Sequence, residues 1–493
     1  MPADAGRRAG TPAPLRAGDT ECVTINEFML RTGIGHHLPA GAPLEQPRSL
    51  RDVAVPRWLI PAVGLVMLAL AALAWRCDPP LYFSVLTALM LHPYSQPFID
   101  GQQIPAVIGC WQQGVDVYVD GSCDPLQRPF AYSPLWLRAG FLNVPWTPWI
   151  GLGIDGAICL GLALLPLPRR GIDALLFVLA MVSGMPVFAL ERLNIDAAIF
   201  LMILVAGWFW ARSSALRFAG YAGMALAGFL KFYPLTLFLL FLRERLAIFA
   251  GLCAAALVLL AGFVWRFGGE LSESMRNLPS ARVFSEGFAA TQLPVGLEMA
   301  LNGLAGLPDS GIASVGHNPL LALAALALLV VASLAIALWL AARAGFAAAL
   351  DAITPPERGF LLIGAILLCA CFFAASNNNY RGIHFLLVMP GLLALWREAD
   401  TARAGRLFGG TVAATLFVTW GMSLQQLVAA VAGGSAAPIG GAPALYLYWI
   451  LHELAWWWVV AVLLAVVFRF ILQSPVWAVL RLPPRRLGSA PAG

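Results

Sequence analysis

Apolar residues in this chain fall in long unbroken runs rather than in the short alternations of a water-soluble core. Runs at about 58–75, 146–167, 172–190, 195–211, 246–264, 320–342, 360–375, 385–396, 407–430 and 445–470 read as membrane helices. Two more, 217–230 and 235–242, are shorter and are parted by Lys231 and Pro234. Residues 217–230 would make a helix of about 21 Å, well short of a hydrocarbon core of ~30 Å. Arg217 bounds this pair on one side and Arg243 and Arg245 on the other, and arginine is retained in the cytoplasm. The pair therefore reads as a hairpin with Lys231 at its tip. The expected fold is all-α and polytopic, with about 12 membrane elements and both termini cytoplasmic.

Between the runs, residues 1–56 read as a disordered cytoplasmic tail and 473–493 as a basic cytoplasmic tail, flanking a transmembrane domain at 57–472. Two long stretches leave the bilayer outward, at about 76–145 and 267–317. The first is too aromatic for a linker, and short interfacial helices are expected near 81–91 and 101–113. Composition agrees: 60% of residues are hydrophobic and 12% charged, which excludes a soluble enzyme. The net charge of +5 reflects arginine in inner loops, and no basic tract argues for nucleic acid. A preference for Arg and Ala over Lys and Ile suggests a GC-rich bacterial genome and hence a bacterial cytoplasmic membrane. The eight cysteines follow no metal-ligand spacing, so no metal site is expected. Of those in the first outward stretch, Cys110 and Cys123 are the favoured disulfide pair.

Lys231 is the sole lysine of the sequence. A charge within apolar sequence is costly and usually faces a cavity, a partner or a ligand, and lysine suits a single phosphate or carboxylate oxygen. Snorkelling at a helix end is the alternative. The outward turns add Arg381 and His384 as further anion binders, against Asp100, Asp116, Asp120 and Asp124 in the first long loop. A carboxylate able to take a proton from a hydroxyl, facing cations able to hold phosphate, is the minimum apparatus for transferring a group from a phosphate leaving group to an alcohol. Each residue also has a plainer reading. Asp100 would be a solvated loop carboxylate, Asp116 a cap or a partner of Arg128, Arg381 a membrane-surface anchor and His384 an interfacial histidine. Asn194 and Asp196 would be a helix cap. No glycine-rich nucleotide cradle is present, so no cofactor is expected.

Several segments resemble a known family. Phe98-Ile99-Asp100-Gly101-Gln102-Gln103, Gly114-Val115-Asp116-Val117-Tyr118 and Phe130-Ala131-Tyr132-Ser133-Pro134-Leu135 resemble the first outer loop of the polytopic GT-C glycosyltransferases of glycosyltransferase family 87, the phosphatidylinositol mannosyltransferase-like enzymes. Glu191-Arg192-Leu193-Asn194-Ile195-Asp196 is similar to that family's Gly-Asn-x-Asp turn, with Arg and Leu in the glycine region. Gly228-Phe229-Leu230-Lys231-Phe232-Tyr233-Pro234 is similar to its lysine hairpin, and Asn379-Tyr380-Arg381-Gly382-Ile383-His384 to its late outer turn. Two departures are Ser133 where the family often has Pro, and an asparagine-rich late turn.

The resemblance implies an inverting transfer of one sugar, mannose being the one suggested, from a polyprenyl-phosphate donor to a lipid or glycan hydroxyl on the outer face. It implies Asp100 as base and His384 in a catalytic role. Lys231, Arg381 and His384 would hold the donor phosphate. Asp116, Tyr118, Tyr132, Asn194, Asp196 and Tyr233 are left as acceptor-binding or structural residues. Two rivals remain: a transporter or flippase for an anionic lipid-linked substrate, and a non-catalytic scaffold.

Overall fold

The structure is a computed structural model describing residues 53–481, apart from 90, 92–93, 95, 169, 279–282, 284–286, 305–318, 375–376 and 433–442. The expected N-terminal tail lies almost wholly outside the described residues, as do 305–317 of the second long loop and the last twelve residues of the C-terminal tail.

The described chain is helical almost throughout. Helices α1 (Leu59–Cys77), α2 (Pro79–Ala88) and α3 (Ile99–Gln112) lead to an irregular stretch, after which α4 (Thr147–Gly161) re-enters the bundle. Next come α5 (Gly171–Met181), α6 (Gly184–Glu191), α7 (Ile195–Arg212) and α8 (Ser214–Leu230). A 3-10 helix, Tyr233–Arg243, precedes α9 (Leu246–Arg276) and α10 (Gln292–Leu304). The second half holds α11 (Pro319–Ala342), α12 (Ala344–Ala352), α13 (Pro355–Ala374), α14 (Phe385–Arg397), α15 (Ala402–Thr419), α16 (Gly421–Ala432), α17 (Pro443–Gln473) and α18 (Pro475–Arg481). One two-stranded antiparallel ribbon joins β1 (Gly287–Phe288) to β2 (Asn377–Asn378), pairing Gly287 with Asn378.

Among the described residues, seven helices are long and apolar enough to cross a membrane, and nine if the bent pairs α5/α6 and α15/α16 each count as one span. The other three of the twelve expected elements are helical but short: α8, the 3-10 arm and α14. The core sits where α13, α14 and α17 meet α7, and α13 is 78% buried over its apolar window. The windows of α9 and α11 are only 6% and 11% buried, so their apolar faces are left for lipid.

The hairpin closes at its base. Arg217 Nη1 lies 2.9 Å from Glu244 Oε1, and the Tyr221 hydroxyl donates to the same carboxylate. Its arms differ in winding: α8 spans about 25 Å at ~1.5 Å per residue, whereas eleven residues of 3-10 helix span about 22 Å at ~2.0 Å. The tighter winding lets the shorter arm reach the same tip.

The first long loop carries the short helices expected there and is a small folded unit of its own. Ile104, Val107, Ile108, Val117, Tyr118, Phe130 and Leu137 form a separate apolar cluster with Ile195 of α7. Cys110 and Cys123 are joined by a disulfide. Closing a loop of this size is worth about 3 kcal/mol in the chain-entropy description, so the Cys110→Ser/Cys123→Ser double variant should lower the thermal midpoint of the purified protein by several degrees. An unchanged midpoint would show that the apolar cluster suffices.

Helix α9 differs most from expectation. Its apolar run stops near Val264, but the helix continues through Glu270 and Glu273 to Arg276, 31 residues or about 46 Å in all. The extra turns brace the first loop. Ser274 Oγ donates to the Tyr132 carbonyl (2.8 Å), Asn277 Nδ2 to the carbonyls of Tyr118 (2.7 Å) and Phe130 (3.2 Å), and Arg138 pairs with Glu270 at 3.0 Å.

Candidate functional site

Two turns build the floor of the site. The backbone N–H of Phe98 donates to the Glu191 carbonyl (2.7 Å), and those of Asp100 and Gly101 both donate to the Arg192 carbonyl (3.1 Å each). Phe98 and Leu193 take left-handed conformations, with φ of +63° and +47°, which L side chains adopt only against resistance. Gly101 permits the approach: a Cβ there would come within 2.5 Å of the Leu193 side chain. The start of α3 is thus fixed against the start of α7, and Asp100 faces Asn194.

Asn194 has three partners. It caps α7, its Oδ1 accepting from the N–H of Asp196 (3.2 Å). The same oxygen accepts from Lys231 Nζ (3.4 Å), and its Nδ2 donates to Asp100 Oδ2 (3.1 Å). The cap is real, but Asp196 does more than support it: fully buried, it accepts from Lys231 Nζ at 2.6 Å and faces Arg381 Nε at 3.6 Å.

Lys231 is 8% exposed and points into the protein, which removes the snorkelling alternative. The chain reverses there because α8 ends at Lys231, whose N–H donates to the Ala227 carbonyl, and Pro234 then stands in the first turn of the 3-10 arm. Trp136 of the first loop donates its indole N–H to the Leu230 carbonyl (3.1 Å), pinning the tip. The ammonium lies between the rings of Tyr132 and Tyr380, 5.3 and 5.4 Å from their centroids.

The late turn brings Tyr380, Arg381 and His384. Its ribbon with β1 anchors it, because Phe288 stacks on the fully buried Trp456 at 4.4 Å, which makes that tryptophan a packing residue. Arg381 lies 5.2 Å from the Tyr233 ring centroid, and the Tyr233 hydroxyl is 2.7 Å from His384 Nε2. His384 is fully buried behind Tyr233, with the Phe200 ring at 5.9 Å and, among the described residues, no hydrogen-bond partner on Nδ1.

On the other side of Asn194, Asp100 Oδ1 accepts from Arg128 Nη1 (3.0 Å), while Arg128 Nε reaches Asp124 Oδ2 (2.6 Å). Burial works against the Arg128 charge, but the hydrogen bond to Asp124 and the charge of Asp100 outweigh it and hold its pKa above its ordinary value. Burial pushes the Tyr132 phenol well up, aided by the charge of Asp100, so it remains protonated.

Of the ten residues singled out from the sequence, eight converge: Asp100, Tyr132, Asn194, Asp196, Lys231, Tyr233, Arg381 and His384. Asp116 and Tyr118 do not. Asp116 accepts from the Tyr118 N–H (3.1 Å) within its own turn, and the expected pairing with Arg128 is absent because Asp124 and Asp100 take that guanidinium. From Asp100 to Trp111 is about 17 Å along α3 at ~1.5 Å per residue, so Asp116 is too far away to substitute for Asp100. In the sequence Asp124 stands only as one of four loop carboxylates and Arg128 only as a candidate partner of Asp116; neither the pairing of Arg128 with Asp100 and Asp124 nor the part of Tyr380 is expected from it. Only the reversal of the loop between the two bridged cysteines brings Arg128 back to the start of α3.

The arrangement divides by charge. Asp100, Asp124 and Arg128 carry one net negative charge; Asp196, Lys231 and Arg381 carry one net positive charge; Asn194 joins the two halves. A cavity of about 80 Å³ opens at the negative half, with Asp100, Tyr132, Asn194 and Thr147 among largely apolar walls from α3, α4 and α7. No protein-family model, curated protein or solved structure matches this chain.

Proposed function

We propose that the chain is a GT-C type glycosyltransferase that moves one sugar from a polyprenyl-phosphate donor to a hydroxyl of a lipid or glycan acceptor at the outer face of a bacterial cytoplasmic membrane. The observation that carries this reading is the charge division across Asn194. A buried excess of positive charge is costly unless an anion completes it, and a phosphate beside Lys231 and Arg381 does so. Tyr132 and Tyr380 flank the Lys231 ammonium and Tyr233 flanks Arg381, so both cations sit among aromatic rings rather than in bulk water.

In this reading the acceptor hydroxyl gives its proton to Asp100 while its oxygen attacks the anomeric carbon from the face opposite the phosphate. The bond between that carbon and the phosphate oxygen breaks, its electron pair leaves with polyprenyl phosphate, and the configuration inverts. Lys231 and Arg381 stabilise the charge that grows on the leaving phosphate. His384 acts through Tyr233, fixing the ring on which Arg381 rests. Mannose remains the sugar suggested by the resemblance.

The test is incubation of the purified protein with labelled polyprenyl-phosphate sugars and membrane glycolipids. Transfer with release of polyprenyl phosphate supports the reading; binding without transfer, with substrate carried across reconstituted vesicles, supports a flippase. The bends in α5/α6 (49°) and α15/α16 (71°) are the features that keep a flippase in play, since broken helices line transport sites. Orientation is checked separately: cysteines introduced at Val119 and Gly268 should react with a membrane-impermeant thiol reagent added outside intact cells. Labelling only after lysis would invert the topology.

A further inference from the structure

A second concavity lies apart from this site, between the first loop and the extended end of α9. Its volume is about 450 Å³, and Trp111, Asp116, Tyr118, Glu270 and Glu273 line it. The carboxylates alone would define nothing. Two of these residues, however, carry a buried atom with no partner among the described residues: the hydroxyl of Tyr118, a residue 5% exposed, and Oε2 of Glu270, whose Oε1 already binds Arg138.

These two orphans are complementary in kind. A phenol has a proton to donate and a carboxylate can only accept, so the group that satisfies both is one that accepts and donates at once. A ligand hydroxyl does this. A metal ion or an ammonium satisfies the carboxylates but leaves the phenol proton without an acceptor. Beside them stands Trp111, partly exposed, with its ring edge-on to Tyr118 at 6.1 Å, the kind of flat apolar surface against which a sugar ring packs.

We propose that this cleft is a carbohydrate-binding subsite, in which a sugar ring lies on Trp111 and one of its hydroxyls bridges Tyr118 and Glu270. It rests on the transferase reading only in assigning the ligand to the acceptor: the distance of about 17 Å from Asp100 to Trp111 suits the distal sugars of a glycan whose terminal hydroxyl is at Asp100. The cleft is shaped jointly by the disulfide-bridged loop and the overhanging turns of α9.

Binding is measured on the purified full chain, without donor, using neutral manno-oligosaccharides of two to six units as probes. Saturable binding that strengthens with length is expected. Tyr118→Phe and Glu270→Gln should each weaken it about 5- to 10-fold, the usual effect of losing one hydrogen bond to a ligand hydroxyl, and Trp111→Ala should weaken it further. Thermal midpoints confirm that each variant folds, and Tyr118→Phe, which keeps the ring and its packing, guards against a fold that fails. Affinity unchanged in a folded Tyr118→Phe and Glu270→Gln pair overturns the subsite. So does absence of oligosaccharide binding in a protein that still transfers sugar to a simple lipid acceptor, a result that leaves the transferase reading standing. Binding of a polyamine that is lost in Glu270→Gln but indifferent to Tyr118→Phe would replace the sugar by a cation. Oligosaccharide binding as expected, in a protein with no transfer to any acceptor, would keep the cleft and sink the transferase.

Discussion

Lys231→Met should lower sugar transfer about 10²- to 10³-fold, the cost of removing one group that stabilises charge in the transition state, and should weaken binding of the lipid donor. The same change should destabilise the protein by about 3–5 kcal/mol, because Asp196 is fully buried and would lose its 2.6 Å partner. Arg381, at 3.6 Å, compensates in part, so the lower end of that range is expected. The two losses are separable. Combining Lys231→Met with Asp196→Asn removes the stranded carboxylate but also takes the acidic neighbour from Arg381, so it should restore part of the thermal midpoint, while transfer stays low. Lys231→Arg should recover little activity, since a wider planar guanidinium replaces the compact point charge that the ammonium sets 2.6 Å from Asp196. Donor affinity and turnover across this set decide the matter, and a folded, fully active Met variant would end the phosphate assignment.

Asp100→Asn acts on the other half of the site. It is nearly isosteric but cannot take the acceptor proton, so turnover should fall at least ~10²-fold. Donor affinity should stay within about twofold, because the cationic half is untouched. An amide also presents an N–H toward Asn194 or Arg128, each of which donates to the native carboxylate, so one of those two hydrogen bonds is lost as well. Arg128→Gln controls for this: it disturbs the orientation of Asp100 while leaving its chemistry and should slow turnover less. Near-normal transfer by Asp100→Asn would remove it as base, and Asp116 lies too far away to inherit the role.

The membrane character, the positions of the apolar helices, the short hairpin and the short helices of the first long loop are legible in the sequence because each depends on local pattern: length of run, flanking arginine, a proline after a lone lysine. The same is true of most individual site residues, since a charge among apolar neighbours is conspicuous. Their pairing was not legible. That Asp196 serves Lys231 rather than only capping α7 depends on the hairpin folding back against α7, and that Arg128 serves Asp100 depends on a disulfide-closed reversal. The extent of α9 is not legible for a different reason: hydropathy ends at Val264, but the helix continues to where the carbonyls of Tyr118, Phe130 and Tyr132 accept from Ser274 and Asn277. The left-handed Phe98 and Leu193 left no trace, because neither residue type signals such a conformation.

The bracing of the first loop by Ser274 and Asn277 has a consequence for biogenesis. The loop leaves the ribosome well before its brace, and the ribbon partner of β1 is synthesised later still, at Asn377–Asn378. A nascent chain shorter than this holds Asp100 and Lys231 without Arg381. On the proposed transferase reading, competence would therefore arrive late in translation, when the turn carrying Arg381 docks, and partial chains would not act on a lipid-borne donor.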